Sequence, residues 1–167
     1  MSQPIDAVGQ ALNEKAGKYL TFSLAGEEYG IAILKVKEII GMMPITPVPQ
    51  APGFVKGVIN LRGRVIPVTD LRLRFGMGNM EYSERTCIIV VEIAGQEGMI
   101  LMGLVVDSVS EVLNIKGEDI EDTPSFGTQL KTDYIHGMAK TEGGVKILLD
   151  IDRVIGTEEI SLIEEAA

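Results

Sequence analysis

Two stretches of this chain, 57–76 (GVINLRGRVIPVTDLRLRFG) and 137–156 (GMAKTEGGVKILLDIDRVIG), follow one pattern at a constant offset of 80 residues. Gly57 corresponds to Gly137, Gly63 to Gly143, Val65 to Val145, Asp70 to Asp150 and Gly76 to Gly156. Upstream, GIAILKVKEI at 30–39 matches GLVVDSVSEV at 103–112 at an offset of 73. Ala25-Gly26 is echoed by Ala94-Gly95, and Pro52-Gly53-Phe54 by Pro124-Ser125-Phe126. The matches keep the same order in both halves, so the chain reads as two similar units related by duplication. A unit of about 65 residues has a thin core on its own. The two are therefore expected to pack together, with strands open to exchange between them and a groove along their junction.

Within each unit the apolar residues fall in short β-branched runs separated by turn signals such as Gly26, Gly63, Ala94-Gly95 and Gly143-Gly144. Strands are predicted at 19–25, 28–33, 38–43, 58–61, 64–69, 86–93, 99–106, 109–115, 135–140 and 144–149. Ten short strands with tight turns predict an all-β fold, either barrels or a sandwich, about five strands to a unit. Helices are few: 70–76, with Asp70 at its start and Gly76 at its end, 152–156 with the same layout, and a last one over 157–167 capped by Thr157. Residues 1–17 read as a mobile tail, 18–80 as the first unit and 85–152 as the second.

Composition removes several functions. The 167 residues carry a net charge of −9, a poor basis for gripping nucleic-acid phosphates. One cysteine, Cys87, leaves no internal disulfide, and with one histidine, His136, a structural zinc site is not expected. The N-terminus has no signal-peptide pattern, and no apolar run approaches the roughly 20 residues of a membrane span. A cytoplasmic protein is expected, with no cofactor and no membrane insertion of its own.

No catalytic set stands out. His136 has no nucleophile or ligand cluster near it in sequence, Cys87 opens an apolar strand, and no phosphate-binding glycine loop is present. The acidic run 118–122 reads as a solvated loop. Two features point instead to a binding surface. Between Lys56 and Arg74 lie five cations (Lys56, Arg62, Arg64, Arg72, Arg74) and one acid, Asp70, in an otherwise acidic chain. Arg72 and Arg74 on a short helix suit a solubilising face equally well. Arg62, between Leu61 and Gly63 at a hairpin turn, is expected to point outward and to engage carboxylates or amides of a partner. The eight methionines, including Met42, Met43, Met77, Met80, Met99 and Met102, suit core gaps or an adaptable surface. A methionine-lined pocket for a small molecule, or an enzymatic barrel, is the alternative reading.

The 57–76 segment resembles the signature of the CheW family of bacterial chemotaxis coupling proteins, and 30–39 and 103–113 resemble its flanking motifs. The resemblance implies two small five-stranded barrels of the Src-homology-3 type and a non-enzymatic scaffold. That scaffold would bridge the cytoplasmic hairpin tips of chemoreceptors to the regulatory domain of a CheA histidine kinase, within membrane receptor arrays. Carried onto this chain, the implied receptor-binding positions are Val36, Glu38, Gly57, Arg62, Val106 and Val109. No local motif assigns residues to the kinase contact.

Overall fold

The computed structural model describes residues 15–51, 55–78, 81–95, 98–122 and 134–154. Strands β1 (Gly17–Leu24) and β2 (Glu27–Ala32) form a hairpin, and a 3-10 turn (Ile33–Lys35) leads to β3 (Val36–Gly41). Strands β4 (Val55–Leu61) and β5 (Arg64–Asp70) make a second hairpin, followed by helix α1 (Leu71–Arg74). The second half repeats the plan with β6 (Cys87–Gly95), β7 (Gly98–Val106), β8 (Ser108–Ile115), a 3-10 turn (Gly117–Asp119), β9 (Ile120–Glu121), β10 (Ile135–Thr141), β11 (Gly144–Leu149) and α2 (Ile151–Val154). The predicted helical starts are close: Asp70 caps α1 by accepting from the Arg72 and Leu73 amides. The predicted C-terminal helix at 157–167 and the Pro-x-Phe echoes lie outside the described residues.

The fold is all-β, two Src-homology-3-like barrels with short helical turns. One sheet runs β8-β1-β2-β11-β10-β9 and the other β3-β6-β7-β5-β4. Each sheet therefore mixes the two halves: the hairpin β1–β2 joins strands of the second half, and β6–β7 joins strands of the first. Neither 18–80 nor 85–152 is a closed set of paired strands.

Registers show that the duplication is structural. Val68 pairs in parallel with Gly103, and Leu148 pairs in parallel with Gly30; the sequence offsets of 80 and 73 carry one pair onto the other. Gly57 pairs with Val68 just after a bulge, as Gly137 pairs with Leu148. Ile39 pairs with Ile89, as Val112 pairs with Leu20. Both barrels follow one plan with their first hairpins exchanged.

Three apolar clusters result. Ile59, Ile66, Val68, Ile88, Val90 and Val105 fill one barrel, and Tyr19, Ile115, Ile120, Ala139 and Leu148 the other. Between the barrels, Phe22, Leu24 and Ile31 meet Ile89, Val91 and Ile93. Each such side chain, fully buried, contributes about 1.5–3 kcal/mol. The exchanged hairpins thus have both faces covered, which is why β6 reads as a nearly continuous apolar run.

Two expectations need correction. The acidic run 118–122 is not wholly a solvated loop: a 3-10 turn brings Glu121 against Met138 and buries Ile120, so this sheet has a sixth strand. Gly17, expected to belong to the N-terminal tail, instead opens β1 and pairs with Ile115.

Candidate functional site: a charged groove and the two crossovers

Arg62 and Gly63 form the two-residue turn between β4 and β5, with φ of 51° and 87°. Both central residues are left-handed, as a type I′ hairpin requires. The Gly63 amide donates to Asn60 Oδ1 at 2.8 Å. An arginine in this conformation is unusual, and it lifts the guanidinium clear of the barrel, with the side chain 70% exposed. There Arg62 pairs with Glu38 of β3.

A bulge between Val36 and Glu38 re-aims β3. Val36 packs on the cluster between the barrels, while Glu38 reaches the rim beside Arg62. Lys37 pairs with Glu92 of β6 at 3.2 Å. The Lys37–Glu92 and Glu38–Arg62 pairs edge an open groove of about 540 Å³, together with Arg64, over walls of Leu61, Ile66, Val90, Met99 and Leu101. Glu92 and Lys37 were missed from sequence; the signal was a charge interrupting an apolar strand. Arg64 shares the groove edge, whereas Arg72 is a correction: it is nearly buried and bonded to Asp107, not part of a solvated face.

The remaining receptor positions lie elsewhere. Gly57 is buried in β4 directly beneath Thr46. Val106 is buried in the cluster between the barrels, and Val109 packs on the edge of that cluster. Val109 also lines a second open groove of about 620 Å³ with Ser23, Glu28, Arg85, Cys87, Ser108 and Ser110. Cys87 opens β6, whereas Glu92 lies in the second half of the same strand. The structure thus joins Glu38 to Arg62, groups Val36, Val106 and Val109 on the inter-barrel cluster, and leaves Gly57 beneath the surface.

Nothing at these sites is arranged for catalysis. Burial pushes the Cys87 thiol up, against the trend of an activated thiolate. Burial lowers the His136 pKa, and the ring lies 6.4 Å from Tyr19. No cluster of three or more His, Cys, Asp or Glu suited to a metal occurs among the described residues. No helix among them is long and apolar enough to cross a membrane. Among the described residues the methionines do not gather into one pocket: Met42 and Met43 pack on one barrel core, Met77 and Met102 on the inter-barrel cluster, and Met99 lines the charged groove, while Met80 lies outside the described residues.

The family model for the CheW-like domain matches residues 18–159. The chain belongs to the CheW-like family. The chemotaxis protein CheW of Klebsiella aerogenes is 39% identical over 161 residues, spanning 96% of this chain and 95% of that protein. The CheW of Thermotoga maritima is 35% identical, spanning 90% of this chain and 93% of its own length. The crystal structure of the scaffolding protein CheW from Thermoanaerobacter tengcongensis superposes with a TM-score of 0.75 at 40% identity, covering 86% of this chain and 95% of that one. As a CheW-like protein, the chain is a non-enzymatic adaptor of chemotaxis signalling.

Proposed function

We propose that this adaptor couples chemoreceptor cytoplasmic hairpin tips to a CheA-type histidine kinase. It would work in the cytoplasm and be recruited to membrane receptor arrays by these two partners. The observation that carries the reading is the groove in which Arg62 and Glu38 stand over an apolar wall of Leu61, Ile66, Val90 and Leu101. A helix with one apolar stripe and flanking polar groups fits such a surface. The exposed guanidinium can exchange its carboxylate for one on the partner.

The six receptor positions take different roles in this reading. Glu38 and Arg62 touch the partner, Val36 and Val109 offer apolar contacts on the inter-barrel cluster apart from that groove, and the buried Gly57 and Val106 shape the backbone. Two barrels of common plan give the bridge at least two separate faces, and many weak contacts in an array multiply through effective concentration.

The test is a phosphotransfer assay that titrates this protein into fixed receptor-bearing membranes and kinase. Activity should be low for any two components and rise many-fold with all three. It should fall again when excess adaptor divides receptor and kinase into separate binary complexes. A flat titration would overturn the reading.

A further inference from the structure

The chain passes from one barrel to the other twice, at β2→β3 and at β7→β8, and each crossover carries a charged residue in the same kind of joint. At β7→β8, Asp107 accepts from Arg72 Nε at 2.6 Å, from Arg72 Nη2, and from the Ala25 amide at 2.8 Å. Arg72 belongs to α1, and Ala25 to the turn of the β1–β2 hairpin. At β2→β3, Lys35 donates to Asp152 of α2 at 2.6 Å, and Asp152 also accepts from the Ala94 amide at 2.9 Å. Ala94 precedes the turn of the β6–β7 hairpin, where Ala25 stands in the first.

Arg72 and Asp152 are equivalent under the repeat offset of 80. A three-part joint of crossover, helix and hairpin turn thus occurs at both crossovers with its charges reversed, its crossover members one position out of register, since at the offset of 73 Lys35 matches Ser108, the neighbour of Asp107. In one the helix supplies the cation and the crossover the anion; in the other the helix supplies the anion and the crossover the cation. Each joint ties parts of both sheets. Arg72 follows β5 of one sheet and reaches the hairpin of the other through Asp107, which accepts from the Ala25 amide; Asp152 follows β11 and accepts directly from the Ala94 amide of the opposite hairpin. The reversal also makes the wrong matings repulsive, since Arg72 would face Lys35 and Asp152 would face Asp107.

We propose that these two charge-reversed ion pairs set the angle between the barrels and convert contact at the crossovers into a change of that angle. Arg72, Asp107, Lys35 and Asp152 are then positioning residues for coupling. The second half of this statement rests on the receptor-and-kinase reading above. Its basis is adjacency: Lys35 immediately precedes Val36, and Asp107 lies between Val106 and Val109. A partner pressing on those valines moves the backbone that carries the joint.

The joints are unequal in stiffness. The Arg72 side chain is 9% exposed and fork-bonded, so it tolerates little angular change. The Lys35–Asp152 pair makes a single contact and is about a third exposed on both sides, so water screens and replaces it readily. Motion should therefore pivot at Asp107 and open at Lys35.

The test places spin labels at Val65→Cys and Val145→Cys, exposed and equivalent positions on the two barrels, in a Cys87→Ala background of the full chain. The parent should give one narrow distance distribution. Asp107→Asn and Arg72→Gln should each broaden or shift it, and the double variant should add little to either single one. Lys35→Gln should do so more weakly, and it keeps the question answerable should Asp107→Asn melt. In the reconstituted assay, the same variants should retain receptor-fragment affinity within about twofold yet lose about fivefold or more of receptor-stimulated phosphotransfer.

Unchanged distances in all three single variants would overturn the joint. Broadened distances with undiminished stimulation would overturn the transmission. If the parent adaptor itself gave no stimulation, the receptor-and-kinase reading would fall, with the transmission that rests on it, while the spin-label distances would still judge the joint.

Discussion

At Arg62, conformation and chemistry pull apart. The turn needs a left-handed residue, which costs an L side chain about 1–2 kcal/mol and costs asparagine less. Arg62→Asn should therefore leave the melting temperature unchanged or slightly raised while weakening receptor-fragment binding. A calorimetric titration beside a thermal melt separates the two effects, and unchanged affinity would remove Arg62 from the contact. Arg62→Glu should weaken binding more, because it also sets two carboxylates against each other at Glu38. Asp107 gives a pH prediction. Burial alone would raise its pKa, but the Arg72 hydrogen bond, the Ala25 amide and the Arg72 charge outweigh it and hold the carboxyl below the ordinary range. The unfolded chain then binds more protons than the native one, so stability rises with pH. The contribution is complete above about pH 4 and disappears as pH falls through the depressed native value. Melts from pH 7 to pH 3 should find Asp107→Asn destabilised at neutral pH and converging on the parent in acid. Arg62 was legible in sequence because a turn exposes whatever it carries. Arg72 was not, since its partner Asp107 lies 35 positions away and only the fold brings the two together.

Among the elements, the ten predicted strands are all present because each carries its own short run of apolar, largely β-branched residues bounded by turn signals. Strand β9 escaped notice because two residues have no period. The exchange of hairpins could be raised from the sequence but not decided, since the repeat gives both halves similar inner faces and either hairpin could fill either barrel. Two equivalent glycines sharpen the point. A Cβ on Gly57 would lie 2.0 Å from the Thr46 carbonyl oxygen, at a φ of +145°. The same atom on Gly137 would meet the Ile120 Cγ2 methyl at 2.8 Å and the Glu121 carbonyl oxygen at 3.3 Å, both wider than the contact at Gly57. Gly57→Ala should cost about 2–4 kcal/mol and Gly137→Ala clearly less. Denaturant unfolding of the two variants measures this. Equal losses would mean that the backbone over Gly57 yields as easily as a side chain. Gly57 thus lets Thr46 and Pro47 lie close over β4, and substitutions there are expected to act through the shape of the barrel.

On the scale of the whole molecule, exchange makes the halves interdependent. Cutting the chain between residues 78 and 81 should give two fragments that are each unfolded alone, because every sheet needs strands from both. Mixed together they should recover the β-sheet circular dichroism of the intact protein; an independently folded fragment would contradict that dependence. The same topology sets a schedule during synthesis. Tyr29 and Ile31 leave the ribosome early, yet their partners Ile147 and Leu149 come near the end of the chain. At roughly 5–20 residues per second, the first hairpin waits on the order of ten seconds with Phe22, Leu24 and Ile31 uncovered. Pairings so distant along the chain also slow the final closure. For that interval the nascent chain carries uncovered apolar surface and unpaired strand edges, the kind of surface that aggregates before its last partners are made.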